Sequence, residues 1–161
     1  HEGQVWGMTC NSFSSVSLNP RLVLWSIRKE ASSLPAFTQS GGFTVSVLAD
    51  SQASIANQFA KGAMTERFAG VPVHRQASQR LRLDSCVAWF DCTVHQLVDA
   101  GDHHIIIGQV RDFGWQDAAP LAFCRSQFGQ FQALARAKQL AAVLQSTATN
   151  SKTSSADSCR G

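Results

Sequence analysis

The sequence predicts a mainly β fold built from antiparallel strands, and three observations lead to this prediction. Short runs of Val, Ile, Leu, Phe and Trp recur through the first two-thirds of the 161 residues, which is typical of strands. Turn-forming pairs such as Asn19-Pro20 and Gly41-Gly42 separate these runs. Helical patterns are too few to follow every strand, as a parallel α/β sheet would require. The residues alone leave an antiparallel barrel and a sandwich as alternatives.

The elements follow from the spacing of the apolar residues. The predicted strands are the apolar runs 5–8, 13–18, 22–27, 43–48, 86–98 and 104–110. Two short inserted helices are predicted at 32–41 and 50–62, the second with Asp50 and Ser51 as candidate N-caps. An Ala-rich pattern predicts a C-terminal helix over 128–145. The Ser/Thr-rich segment 146–161 is predicted to be a disordered tail after one domain spanning 1–145.

Composition and charge argue against several classes of protein. The net charge is only +3, and the basic residues are scattered, which argues against a nucleic-acid binder. No apolar run is long enough to predict a membrane span. Five cysteines without CxxC spacing favour reduced thiols and a cytoplasmic protein. Motifs such as GxGxxG, a P-loop or HExxH are not found, and no metal site is predicted, because neighbours such as His103 and His104 point to opposite faces of a strand.

The stretch GMTCNSFSSVSLNP, residues 7–20, carries many small hydrogen-bonding side chains and no charge. Neither of its two strand faces forms a clean apolar stripe. Thin side chains of this kind suit the approach of a flat, neutral ligand with a polar rim. An edge strand rich in Ser and Thr, with no ligand, is the alternative.

Five segments, taken in order, resemble the flavin reductase domain family. They cover much of the range 5–131, and they are GMTCNSFSSVSLNPRLVLWSI (7–27), VSVLADSQASIANQFA (45–60), ERFAG (66–70), GDHHIIIGQV (101–110) and PLAFCRSQFGQF (120–131). The resemblance implies a Greek-key split β-barrel, a homodimer, and FMN or FAD held beside the barrel. It further implies that NADH or NADPH transfers a hydride to the flavin, and that reduced flavin serves a partner monooxygenase. An electron-transfer protein that holds FMN in the same barrel, and an interaction domain without a ligand, are the alternative functions.

This chemistry needs no catalytic side chain, because the cofactor carries the reactivity and the protein supplies position and electrostatics. The resemblance implies that the flavin is bound by Thr9, Cys10, Asn11, Ser12, Ser15, Val16, Ser17, Ser26, Lys29, Ser32, Ser33, Ala49, Asp50 and Gln52. Among these, Lys29, Ser32 and Ser33 are expected at the phosphate end, with a solvated charged turn as the alternative. His103 and Phe128 are expected beside the nicotinamide.

Three departures from the family pattern accompany this resemblance. Relatives carry about two dozen further residues before this region, so the chain is expected to lack an N-terminal strand. A family Pro-Pro is replaced by Asn19-Pro20, and Phe128 stands where relatives often have Tyr.

The Arg67-Phe68 pair matches the family, either as a ligand contact or as a packed aromatic residue beside a surface cation.

Overall fold

The computed structural model describes residues 3–132, and these residues are mainly β with a few short helices. The described strands are β1 (Ser14–Leu18), β2 (Arg21–Arg28), β3 (Gly42–Val47), β4 (Val73–Arg75), β5 (Leu81–Leu83), β6 (Ala88–Ala100), β7 (His103–Trp115), β8 (Leu121–Cys124) and β9 (Gln127–Gln130). The α-helices are α1 (Leu34–Gln39) and α2 (Ala53–Lys61), and 3-10 turns span Asp50–Gln52 and Met64–Glu66.

Five strands form one antiparallel sheet in the order β1-β2-β7-β6-β3. Its centre is the long hairpin of β6 and β7, which reverses direction at Gly101 and Asp102. Gly101 has φ +65°, a conformation that glycine adopts without a steric cost. The pairs β4-β5 and β8-β9 form two small hairpins of their own.

The core lies on one face of the large sheet. Burial alternates strictly along β2, so that Val23, Trp25 and Ile27 are buried while Leu24 and Ser26 are only half-buried. Trp25 packs edge-on against Phe37 of α1 and Phe43 of β3, with ring centroids 4.9 and 5.6 Å apart. This alternation turns Ser26 to the outer face of the sheet, away from the core.

The short helices cover the ends of the core. Helix α1 carries Pro35 in its first turn, where the missing N–H costs no intrahelical bond. Helix α2 buries Ala56 and Phe59 on its inner face. The turn that precedes α2 is held by Gln52, whose Oε1 accepts a hydrogen bond from the Ala49 amide at 3.0 Å.

Most of the predicted elements are confirmed, including antiparallel strands near 13–18, 22–27, 43–48, 86–98 and 104–110 and both inserted helices. Two predictions are wrong at the residue level. Residues 5–8 form no strand. Residues 127–130 form β9 rather than the start of a helix, because Arg125 and Ser126, both at positive φ, close a tight hairpin with β8. The rest of the predicted C-terminal helix, the domain boundary at 145 and the predicted tail lie outside the described residues.

Candidate functional site

Residues 7–12, here called the ribbon, enter the fold through Gly7. The Arg67 Nη1 atom donates a hydrogen bond to the Gly7 carbonyl at 2.7 Å. A side chain at Gly7 would meet the Phe59 ring, since an added Cβ would lie 2.6 Å from its Cε1 atom. Phe59 and Phe68 pack edge to face at 4.8 Å behind the ribbon. The Arg67-Phe68 pair therefore positions the ribbon.

Further along, the ribbon is fixed at two points and left open between them. The Thr9 hydroxyl donates to the Ala56 carbonyl of α2 at 2.7 Å. The Ser12 Oγ accepts a hydrogen bond from the Ser26 amide at 2.9 Å, which ties the ribbon to β2. Cys10 and Asn11, between these anchors, are exposed. The ribbon is thus a braced, uncharged surface.

The register of β2 and β7 places Ser26 and His103 on the same face of the sheet. Arg28 pairs with His103, and Ser26 pairs with Ile105. Directly paired residues share a face in an antiparallel sheet, and residues two apart along a strand also share one. Because Trp25 and Ile27 occupy the core face, Ser26, Arg28 and His103 lie on the outer face, with Ser12 bonded to Ser26.

Two contacts between polar side chains lie at this end of the sheet, and one of them involves His103. The His103 Nδ1 lies 2.7 Å from an Asp102 carboxylate oxygen, and the Lys29 Nζ lies 2.7 Å from Asp99. The His103 contact lowers the pKa of the Asp102 carboxyl, and the Lys29 hydrogen bond lowers the pKa of the Asp99 carboxyl. Both carboxylates therefore remain charged near neutral pH.

The residues predicted at the phosphate end are close in sequence but differ in environment. Lys29 is engaged with Asp99, so an anion would have to compete with this carboxylate. Ser32 is exposed, whereas Ser33 is buried and its hydroxyl faces the Met8 sulfur at 3.8 Å.

The residues predicted after β3 form a second group with the β8-β9 hairpin. Ala49 and Gln52 are buried, and the Gln52 Nε2 donates to the Asp84 carbonyl at 2.8 Å. Asp50 accepts a hydrogen bond from Gln130 of β9 at 3.1 Å. Phe128 of β9 packs on Phe123 with ring centroids 5.3 Å apart. The Gln52 side chain thus stabilises the turn in which Gln52 itself lies.

The predicted residues of β1 line neither group. Ser15 and Val16 are exposed, and Ser17 is half-buried. The pairing of β1 with β2 shifts between Ser15 and Ser17, a local bulge in the strand.

A groove of about 950 Å³ opens on the core side, beside the edge strand β3. Four of the predicted residues, Thr9, Cys10, Asn11 and Phe128, contribute to its lining, together with core residues such as Trp25 and Phe43. The remaining predicted residues, including Ser26 and His103, are not part of this lining. The ribbon therefore borders the core-side groove at residues 9–11 and adjoins β2 through Ser12.

Sequence reasoning missed Asp99 and, although it singled out the Arg67-Phe68 pair, it did not predict what Arg67 contacts. Asp99 pairs with Lys29 across 70 residues of sequence, and Arg67 reaches Gly7 across 60. Neither partnership has a local signal, since each forms only when distant segments fold together. The contact between Asp102 and His103 did have a local signal, because the two residues are adjacent in the sequence.

Neither a metal-binding cluster nor a membrane-spanning helix is seen in the part of the chain that the structure describes. Residues 3–132 contain no group of three or more His, Cys, Asp or Glu side chains that could hold a metal ion. Within the same range, no helix has both the length and the apolar character that a membrane crossing requires.

Comparison with known proteins decides the family. Residues 1–132 match the model of the flavin reductase like domain. The chain belongs to this family. The predicted family is thereby confirmed.

Relatives of this flavin reductase-like domain include two curated bacterial proteins. The reductase component of the flavin-dependent trigonelline monooxygenase of Acinetobacter baylyi is 40% identical over 127 residues, which are 79% of this chain and 41% of that protein. A flavin reductase of Pseudomonas putida is 35% identical over 134 residues, 83% of this chain and 78% of that protein. The chain therefore spans about two-fifths of the length of the first relative and about four-fifths of the second.

A solved structure shares the fold of this domain. The NADH:FAD oxidoreductase SgcE6 of Streptomyces globisporus C-1027, in complex with NAD and FAD fragments, superimposes with a TM-score of 0.75 at 32% identity. The match covers 80% of this chain and 78% of SgcE6.

Proposed function

We propose that this flavin reductase-like domain transfers a hydride from NADH or NADPH to FMN or FAD and releases the reduced flavin to a partner monooxygenase. The names of the relatives support this activity, since they include a flavin reductase, a monooxygenase reductase component and an NADH:FAD oxidoreductase. The proposal rests on one structural observation: Ser26 and His103 lie on the outer face of the sheet, and the ribbon reaches β2 at this point through the hydrogen bond between the Ser12 hydroxyl and the Ser26 amide.

The residues present fit a flavin. Asn11 is exposed and carries an amide donor and an acceptor with no protein partner among residues 3–132. The bond between Ser12 and Ser26 fixes the neighbouring backbone without adding charge. When bound, an oxidised flavin supplies a ring that accepts a hydride from reduced nicotinamide. The protein's own contribution is to present a rigid uncharged wall at this point and to leave one side open.

The second group of residues extends this proposal to the other end of the ribbon. Phe128 and the ribbon border the same groove, and Asp50 anchors the hairpin that carries Phe128. We assign the loop 49–52 to the support of the ribbon. Phe128 is assigned to the nicotinamide only where a bound nicotinamide extends past the ribbon, because Phe128 borders the core-side groove and His103 lies on the outer face. Lys29, Ser32 and Ser33 are assigned to the phosphate end, where Lys29 would exchange Asp99 for the phosphate.

The proposal includes a homodimer and a Greek-key split barrel. Large apolar side chains stay exposed on the described residues, among them Leu18 and Trp115, the latter with 76% of its surface accessible. Such surfaces favour association with a second protein.

Aerobic NADH or NADPH oxidation with added FMN or FAD tests the activity. We expect consumption that depends on flavin, and we expect His103→Ala to raise the KM for the nicotinamide while leaving the flavin Kd nearly unchanged. His95→Ala is the matched control, because His95 is exposed on β6. No flavin-dependent oxidation, or equal effects of the two substitutions, would overturn the assignment.

The fate of the flavin separates the reductase from an electron-transfer protein. A reductase that exports its product has to release flavin readily, so FMN should be lost on gel filtration. Retention of one FMN per chain together with no reduction of free flavin would favour the electron-transfer alternative.

A further inference from the structure

The closest polar contact of His103 is its sequence neighbour. The Nδ1 atom lies 2.7 Å from the Asp102 Oδ1 atom, which is a short charge-assisted distance. Of the two side chains, Asp102 is 86% accessible and His103 is 34% accessible. The carboxylate therefore stands outside the imidazole, and the ring lies against the sheet.

Contacts with β2 hold the backbone of Asp102. The Lys29 amide donates a hydrogen bond to the Asp102 carbonyl at 3.0 Å, directly after the pairing of Arg28 with His103. Gly101 provides the positive φ that lets the chain turn at this point. The Lys29 side chain engages Asp99, so it does not take the Asp102 carboxylate away from His103. The positive charge of Arg28 further lowers the pKa of Asp102.

We infer that Asp102 is a positioning residue that holds neutral His103 in the tautomer protonated at Nδ1. An ionised carboxylate only accepts hydrogen bonds, so the neutral imidazole must donate its N–H from Nδ1 to satisfy it. The other nitrogen, Nε2, then carries a lone pair and accepts. The proton is therefore fixed at Nδ1, and the ring presents a hydrogen-bond acceptor, Nε2, to a ligand.

An acceptor at Nε2 selects the chemistry that His103 recognises. The amino group of a nicotinamide carboxamide and a ribose hydroxyl are donors of the matching kind. This part of the inference rests on the proposed function, whereas the tautomer does not. The two parts therefore need separate measurements.

Long-range ¹H–¹⁵N NMR of the imidazole nitrogens tests the tautomer without any ligand. In the full chain, with the His103 signals assigned by their loss in His103→Gln, we expect the neutral ring to carry its proton on Nδ1. In Asp102→Ala, the proton should move predominantly to Nε2, and Asp102→Asn should fall between the two. Asp117→Ala, an exposed carboxylate elsewhere, should leave the signals unchanged. A wild-type ring protonated at Nε2, or no difference between wild type and Asp102→Ala, would overturn the inference.

Steady-state kinetics test the ligand role. Loss of one positioned hydrogen bond should raise the KM for NADH about three- to tenfold in Asp102→Ala, with the flavin Kd unchanged. Added to His103→Ala, the same substitution should have no further effect, because its partner is already gone. An equal additional loss in the double variant would show that Asp102 acts through the turn and not through the ring. If the tautomer shifts as expected but NADH is never oxidised, the proposed function fails and the tautomer assignment stands.

Discussion

Gly7 shows how one residue can set the position of the site. Its carbonyl accepts a hydrogen bond from Arg67, and its Cα lies against the Phe59 and Phe68 rings. Any side chain here would force the ribbon outward or displace two packed aromatic rings. The sequence shows the glycine but not this reason for it, because the rings come from residues 52 and 61 positions further along.

Replacing Gly7 with alanine should therefore affect both stability and binding. We expect a loss of about 1–3 kcal/mol in the free energy of unfolding, typical of overpacking, and weaker flavin binding. Gly129→Ala is the control, since nothing lies within 4 Å of its added Cβ. Urea denaturation and flavin fluorescence titration measure the two effects. Indistinguishable Gly7 and Gly129 variants would contradict this account of the ribbon.

The buried Cys92 thiol makes the free energy of unfolding depend on pH. Burial, helped by the negative charge of Asp91, raises the pKa of Cys92 to about 12. Because the unfolded thiol ionises near pH 8.5–9, the stability that Cys92 contributes is complete below that pH and is lost as the pH rises toward 12. From pH 8 to 10, we expect an alkaline loss on the order of 1 kcal/mol in urea denaturation. Cys92→Ala should lower stability at pH 8 and show a shallower decline, whereas parallel declines would refute the assignment.

Among the elements, the central strands are those that the sequence predicts best. In β2, alternating burial matches the alternating apolar pattern, and the same pattern predicts which face Ser26 occupies. The strands β4 and β5 have only three residues each, which is too short to give such a signal. The β8-β9 hairpin escaped prediction because its turn uses Arg125 and Ser126 at positive φ instead of glycine or asparagine.

An ion pair joins the β5 side of the molecule to β6. The Arg80 Nε atom lies 2.6 Å from Asp91 Oδ1, with 27% of the Arg80 side chain and 6% of the Asp91 side chain accessible. Removing the Asp91 carboxylate leaves the partly buried guanidinium of Arg80 without its partner.

Asp91→Ala should lower the free energy of unfolding by about 2–4 kcal/mol, less than for a fully buried pair because Arg80 can reach water. The exposed carboxylate control Asp117→Ala should stay within about 0.5 kcal/mol of wild type. Urea denaturation at neutral pH compares them. If Asp91→Ala lowers the free energy of unfolding no more than Asp117→Ala does, water solvates Arg80 well enough to replace the ion pair, and the prediction is wrong.

For the whole molecule, the sheet separates two surfaces that the sequence could not distinguish. Local patterns identify the ribbon, the Gly-Asp-His turn and the family, and the comparisons confirm the family. Which predicted residues share a surface depends on the register of β2 with β7 and on contacts such as Thr9 with Ala56. Ser26 and His103 fall on the outer face, while Phe128 borders the core-side groove. The ribbon lies between them.

The most direct test of the central claim is an NMR titration of the ¹⁵N-labelled chain with FMN. If the ribbon, Ser26 and His103 together hold the flavin, the largest amide shift changes should appear at residues 9–12, 26 and 103. Amides beside the core-side groove, such as those of Val45 and Leu81, should change little. Residues 9–11 line the groove as well, so Ser26 and His103 are the amides that decide between the two places. Changes at Val45 and Leu81 without changes at Ser26 and His103 would place the flavin in the groove and contradict the outer-face site.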